Sequence, residues 1–346
     1  MAAFWAGDLL DRPPVLASCA REGAPAVARW PQQLDGFDGD FAGAAEVMDA
    51  AAGATYYAAE AFPNFAPCWG PDQFAAFLGA EIVTSPDSGG TTWVHPFVED
   101  WSQALPLRWD EDNFAWRQML DFCAFLKTKA AGRALLCTLD THSNVDGLGA
   151  IRGYGRLCMD MLDQPEVIDR AVTEVREFFA PVYDAIAEAA GMFEVGYTTS
   201  WLGVVGAGRT AAVQCDFAAL MSPPMFDRWV MPCLEDETEF VDHSIYHLDG
   251  PEALCHVPSL LSLPELHGIQ WVPGAARDAT GREMFTWVEL LQQFQAAGKS
   301  VYAYGPIEAL KTLHQELRPE LVIYSVNGGP SRAEIDEFLQ WLCDHS

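Results

Sequence analysis

Short runs of β-branched and aromatic residues recur along the chain, separated by longer stretches in which apolar residues return every three or four positions. Eight such runs stand out: PPVLAS (13–18), ATYYAAE (54–60), ALLCTLD (134–140), FEVGYT (193–198), SIYHLD (244–249), GIQWV (268–272), SVYAY (300–304) and LVIYS (321–325). Strand-like runs alternating with helical stretches point to an α/β protein with parallel strands, and eight is the number that closes a (β/α)8 barrel. The pattern therefore predicts a single TIM barrel over residues 1–346. Helices are predicted from Glu166 to Ala190 behind Pro165, from Pro223 to His243 with Ser222 as N-cap, and from Met284 to Ala297 with a stop at Gly298. A last helix runs from Ser331 to Cys343, where Ser331 and Glu334 have the spacing of a capping box.

One segment breaks the alternation. From residue 80 to about 100 two short β-like pieces flank the turn PDSGG, which predicts a hairpin inserted over one mouth of the barrel. No short-period repeat or low-complexity tract divides the chain.

Composition narrows the classes. With 20 Lys+Arg against 49 Asp+Glu the formal charge is −29, and the sequence has no basic cluster to offer a polyanion, so nucleic acid and anionic membrane surfaces are excluded as partners. No apolar run approaches the roughly 20 residues that cross a bilayer. The opening MAAFWAGDLLDRPP lacks a basic region ahead of an apolar one, so no secretory signal is expected. The nine cysteines are odd in number, scattered and without a CxxC pair, which fits small buried side chains in a reducing cytoplasm.

In a barrel, chemistry sits where strands end at the carboxyl face. That rule selects Glu60 after the second run, Asp140 and His142 after the third, and Tyr197 and Ser200 at the fourth. It also selects His247 and Asp249 at the fifth, and Gln270 and Trp271 at the sixth. In the strand YHLDG, His247 and Asp249 stand two residues apart and so face the same side, a geometry able to hold a divalent metal or to form an acid/base pair. The plainer reading is a histidine tied to a carboxylate that ends a strand. Asp140 and His142 repeat the spacing. Asp216 lies in an apolar loop after the fourth run, and Trp201 stands beside Ser200, where a large aromatic can line a pocket. A dinucleotide fingerprint, a P-loop, HExxH and GxSxG are all missing.

The stretches DRPPVLAS, LMSPPMFDRWVMPCLEDE, YHLDG, IQWVPG and GGPSRAEIDEFLQWL, in this order, resemble the uroporphyrinogen decarboxylase superfamily. The resemblance spans nearly the whole chain and implies a single (β/α)8 barrel. The decarboxylase branch carries several arginines after its first strand to hold a poly-carboxylated tetrapyrrole. Here that region offers only Arg21, so the resemblance is closer to the corrinoid-linked and coenzyme M methyltransferases. Zinc-dependent members of that branch place His-x-Cys at the fifth strand. This sequence has His247 and Asp249 there, and Ser325 with Asn327 at the last strand.

The resemblance thus implies a methyltransferase that moves a methyl group between a small methylated substrate and a corrinoid protein or a folate. Activation would come from His247, Asp249 and Glu60, joined by Asp140 and His142, with zinc or another divalent metal held at His247 and Asp249. Tyr197, Ser200, Trp201, Asp216, Gln270 and Trp271 would line the substrate. A metal-free decarboxylase or lyase acting on a small acid or a tetrapyrrole-like substrate, a ligand-binding barrel without catalysis, and a homodimer all stay open.

Overall fold

The computed structural model describes residues 1–84, 91–274 and 280–346. Its strands are β1 (Val15–Ala20), β2 (Thr55–Ala59), β3 (Asn64–Phe65), β4 (Glu81–Thr84), β5 (Thr92–His95), β6 (Leu135–Leu136) and β7 (Tyr197–Thr199). They continue with β8 (Val205–Ala207), β9 (Thr210–Gln214), β10 (His243–Asp249), β11 (Gly268–Val272), β12 (Ser300–Gly305) and β13 (Val322–Val326). One sheet holds seven of them in the order β2, β1, β13, β12, β11, β10, β9. All of its pairings are parallel except β1 with β2. A parallel pair, β3 with β6, stands beside it.

The architecture is a barrel-like α/β fold, and the expected closed barrel is not formed: among the described residues no ladder joins β3 to β1 or β6 to β9. The reason is local. The run ATYYAAE folds back as β2, antiparallel to β1, and occupies the edge that β3 would need. Thr138, just beyond β6, gives its N–H to Thr199 at the end of β7, so the other edge is taken as well. FEVGYT also departs from expectation. Met192–Val195 is helical, and only Tyr197–Thr199 is extended, antiparallel to β8. The wall position it was to fill belongs to Thr210–Gln214.

Alternation along the strands sorts side chains into two layers. Ala212, Ile245, Tyr302 and Ile323 point inward and pack with Leu202, Val204 and Phe4. Val213, Tyr246, Leu248, Trp271 and Tyr324 point outward under the helices, in the larger core. Tyr246, Trp271 and Tyr324 have under 2% of their surface exposed, and each such burial stabilises the fold by about 1.5–3 kcal/mol.

The predicted helices are broken where proline or a tight turn interrupts them. Residues 166–190 form Pro165–Arg176 and Phe179–Ala189, and residues 223–243 form Pro223–Trp229 and Met231–Phe240. Ser222 holds the N-cap position without a side-chain bond. The capping box of Ser331 and Glu334 is formed in full. Strands β4 and β5 make the expected antiparallel hairpin, while its turn PDSGG lies outside the described residues. The hairpin rests on the helices Gln73–Phe77 and Val145–Arg152. No described helix is long and apolar enough to cross a membrane.

Candidate active site

The segment LDTHSNVDG, residues 139–147, leaves β6 and opens a helix at the carboxyl end of the sheet. Asn144 caps that helix: its side chain accepts from Asp146 N–H at 3.0 Å and donates to the Gln214 carbonyl at 2.7 Å and to Glu237 Oε1 at 3.3 Å. Asp146 sits in the first helical turn, where a negative charge is favoured. Its carboxylate accepts the N–H groups of Asp216 at 2.9 Å and Phe217 at 2.7 Å. One side chain therefore pins the loop that leaves β9 to the helix that follows β6.

His142 lies inside this frame and is 4% exposed. Its Nε2 is 3.2 Å from Asp140 Oδ1 and 2.5 Å from the Gln214 amide, and its Nδ1 is 3.6 Å from Asp146 Oδ2. Burial disfavours the imidazolium, but the charges of Asp140, Asp146 and Asp216 outweigh it and push the pKa up to about 10. A protonated ring is satisfied when Gln214 turns its amide oxygen towards it. The second polar atom of that amide, on a residue 5% exposed, has no partner among the described residues.

Two carboxyls of the cluster titrate unusually high. Desolvation in the crowded mouth and the charge of Asp146 raise Asp216 to about 6 against the pull of His142 and His247. Because the residue as a whole reaches solvent, screening takes back part of that rise. Glu237 is fully enclosed, and burial lifts it to about 8 although Asn144 bonds its carboxylate. Asp72 is raised by burial too, and accepts the hydroxyl of Tyr154 at 3.3 Å.

The adjoining strands add a polar row. In register, Gln214 of β9, His247 of β10, Gln270 of β11 and Tyr302 of β12 stand side by side. Gln270 Oε1 is 2.6 Å from His247 Nδ1. An amide oxygen can only accept, so Nδ1 carries a proton and Nε2 is the nitrogen left facing the mouth. The ring of Trp201 meets that of His247 edge-on at 5.2 Å. Asp249 faces the same side and is exposed, but no hydrogen bond or ion pair joins it to His247 among the described residues. The predicted pair shares a face without touching.

Asp140, His142, Asp216, His247, Gln270 and Trp201 are thus gathered at one end. Three other expected residues are not. Glu60 follows Ala59, whose φ of 53° reverses the chain, and it lands at the amino end of β1, where it pairs with Arg12 at 2.9 Å and accepts Val15 N–H at 2.7 Å. Glu60 is structural. Tyr197 lies beside Trp5 and His243 at the opposite mouth. Trp271 points outward and packs edge-on against Trp287. Ser200 is buried, and its hydroxyl accepts the N–H of Leu202 at 3.4 Å within a turn. Asp146, Gln214, Glu237, Asp72 and Tyr154 were not singled out from the sequence. Asp146 had a visible signal, four residues after His142. Gln214 ends a strand too rich in alanine to stand out.

The residues do not fit the expected zinc. Among the described residues no three His, Cys, Asp or Glu side chains are placed to hold a metal. His247 has one nitrogen committed to Gln270, and His142 is enclosed by its acceptors, so the four donors that zinc takes are not assembled. A surface groove of about 760 Å³ lies elsewhere, lined by Trp109, Trp116 and Phe178 among others.

No family model and no curated protein matches this sequence. Solved structures do match: a methyltransferase from Methanosarcina mazei is similar over 99% of this chain and 96% of its own, with a TM-score of 0.57 at 14% sequence identity. The chain shares the fold of that methyltransferase. At this identity the likeness concerns the fold, and it covers the whole path from β1 to the helix Arg332–His345.

Proposed function

We propose that the chain is a methyltransferase that moves a methyl group between a small methylated substrate and a corrinoid protein or a folate, at the carboxyl-end mouth around His142 and His247. The observation that carries this reading is the fold shared with a methyltransferase over nearly the whole chain. The sequence resemblance to the methyltransferase side of the uroporphyrinogen decarboxylase superfamily supports it. Fold alone does not fix a reaction, so the roles rest on the chemistry of the mouth.

Methyl transfer breaks the bond between the methyl carbon and its heteroatom, and the bonding pair stays on the heteroatom. The acceptor, a cobalt(I) centre or a folate nitrogen, supplies the pair of the new bond. The heteroatom therefore departs as an anion unless it takes a proton or already carries a positive charge. His142, kept protonated by Asp140 and Asp146, is the acid that can supply the proton. His247, with Nδ1–H held by Gln270, presents Nε2 as a base for a proton lost by a folate nitrogen. Gln214 links the two, bonded to His142 and adjacent to His247 across the strands.

One observation favours a second reading. A protonated acid stands ready where a metal's donor set is not assembled, and that arrangement also suits a metal-free lyase, in which the acid would protonate a carbanion.

The test is a direct assay: the protein with cob(I)alamin or tetrahydrofolate and a panel of methyl ethers, thioethers and methylated ammonium compounds, followed by the appearance of the methylated acceptor. His142→Gln should lower the rate by roughly 10²–10⁴-fold, the range for losing a general acid, while Glu60→Gln leaves it essentially unchanged. Absence of transfer from every donor to both acceptors would overturn the proposal, and carbon dioxide release from small acids would establish the lyase reading.

A further inference from the structure

The charge at the mouth is lopsided. Asp72, Asp140, Asp146 and Asp216 surround a single histidine, and none of the four is paired with Lys or Arg among the described residues. Elsewhere among the described residues many acids are matched with arginine or lysine: Glu60 with Arg12, Asp160 with Arg152, Asp236 with Arg176, Asp184 with Arg209, Glu194 with Lys127. The mouth departs from that habit. Even with His142 charged, the four carboxyls outnumber the one cation in a partly enclosed space, where the field on a ligand is stronger than on an open surface. Exposed Asp249 adds to the rim.

Two further observations point to a ligand. The buried Gln214 amide, bonded to His142 at the centre of the cluster, keeps one polar atom unpartnered. A buried group of this kind is a standing penalty unless something bonds it. The ring of Trp201 is partly exposed beside His247, and an indole face is a favourable neighbour for an organic cation. A bare metal ion is disfavoured because its donors are not assembled.

We infer that the carboxyl-end mouth binds a small organic cation of the ammonium class, one that also carries a polar group for the Gln214 amide. This rests on the methyltransferase reading for its place in a reaction. A methylated ammonium would leave as a neutral amine when its carbon–nitrogen bond breaks, with the bonding pair kept on nitrogen, so the substrate itself brings the positive charge that the leaving group requires.

The experiment is isothermal titration of the full chain with tetramethylammonium, choline and 3,3-dimethylbutan-1-ol, the neutral carbon isostere of choline. Choline should bind at least roughly tenfold tighter than the isostere, the scale of one desolvated cation contact. The preference should shrink at about pH 5, below the point where Asp216 titrates, and in Asp216→Asn. A circular dichroism melt of that variant separates lost binding from lost folding, and Glu60→Gln should keep the preference. If neither cation binds more tightly than the neutral isostere, or if only zinc chloride gives binding heat, the inference is overturned. Cation binding without methyl transfer to any acceptor would sink the methyltransferase reading and leave the cation site standing. Methyl transfer from neutral ethers without cation preference would do the reverse.

Discussion

Burial alone would strip the proton from His142, and Asp140, Asp146 and Asp216 reverse that preference, so the charged ring and its acceptors stabilise one another. The pKa rises from about 6.5 in the free side chain to about 10. Its contribution to stability is therefore complete below the unfolded value and lost as pH rises through 10. Glu237 behaves in the same sense for another reason. Its carboxyl is lifted to about 8 by burial, so its share is complete below about 4.5 and is lost as pH rises through 8. Glu237→Gln keeps the bond from Asn144 and cannot ionise. Urea unfolding between about pH 5 and 9 should show the wild type losing on the order of 1–3 kcal/mol more than the variant, and parallel curves would contradict the assignment.

Elements explain which parts of the site the sequence announces. His247 and Gln270 were legible because β10 and β11 are long, apolar and alternating, so the residue facing inward follows from the period of two. Trp271 was misassigned for the same reason in reverse: next to Gln270, it must face the other layer. Glu60 and Tyr197 were misplaced because ATYYAAE and FEVGYT have strand composition but not the direction of the wall, and direction is decided by pairing partners far along the chain. Asp146 and Gln214 join through Asn144 across some 70 residues, a contact that no local pattern carries. The helix behind His142 is a sensitive element. A Cβ on Gly147 would lie 2.5 Å from the His142 carbonyl and 2.8 Å from the Phe74 ring, and the carbonyl is backbone that has little room to give. Gly147→Ala should cost about 1–3 kcal/mol by overpacking and reduce methyl transfer while leaving the far mouth intact. A variant with wild-type stability and rate would show that the helix and the loop at 140–144 are not packed as described.

At the scale of the whole molecule the two ends of the fold treat histidine in opposite ways. At the amino mouth Trp5 stacks on His243 with ring centroids 4.4 Å apart, and His267 meets both rings edge-on. Burial lowers the pKa of His243 and of His267, helped in the first by the neighbouring His267, so both are neutral near pH 7. At the carboxyl mouth His142 is charged under the same conditions. In a chain with formal charge −29, this mouth is where three carboxylates converge on one buried histidine. The measurement that tests this most directly is the pH titration of the eight histidines by nitrogen-15 NMR, with His142 assigned by its disappearance in His142→Gln. Signals of a doubly protonated ring at His142 that persist to about pH 9, while His243 and His267 titrate below 6.5, are the predicted result. A His142 ring that is neutral at pH 7 would contradict the account, because the acid at the centre of the site would then be absent.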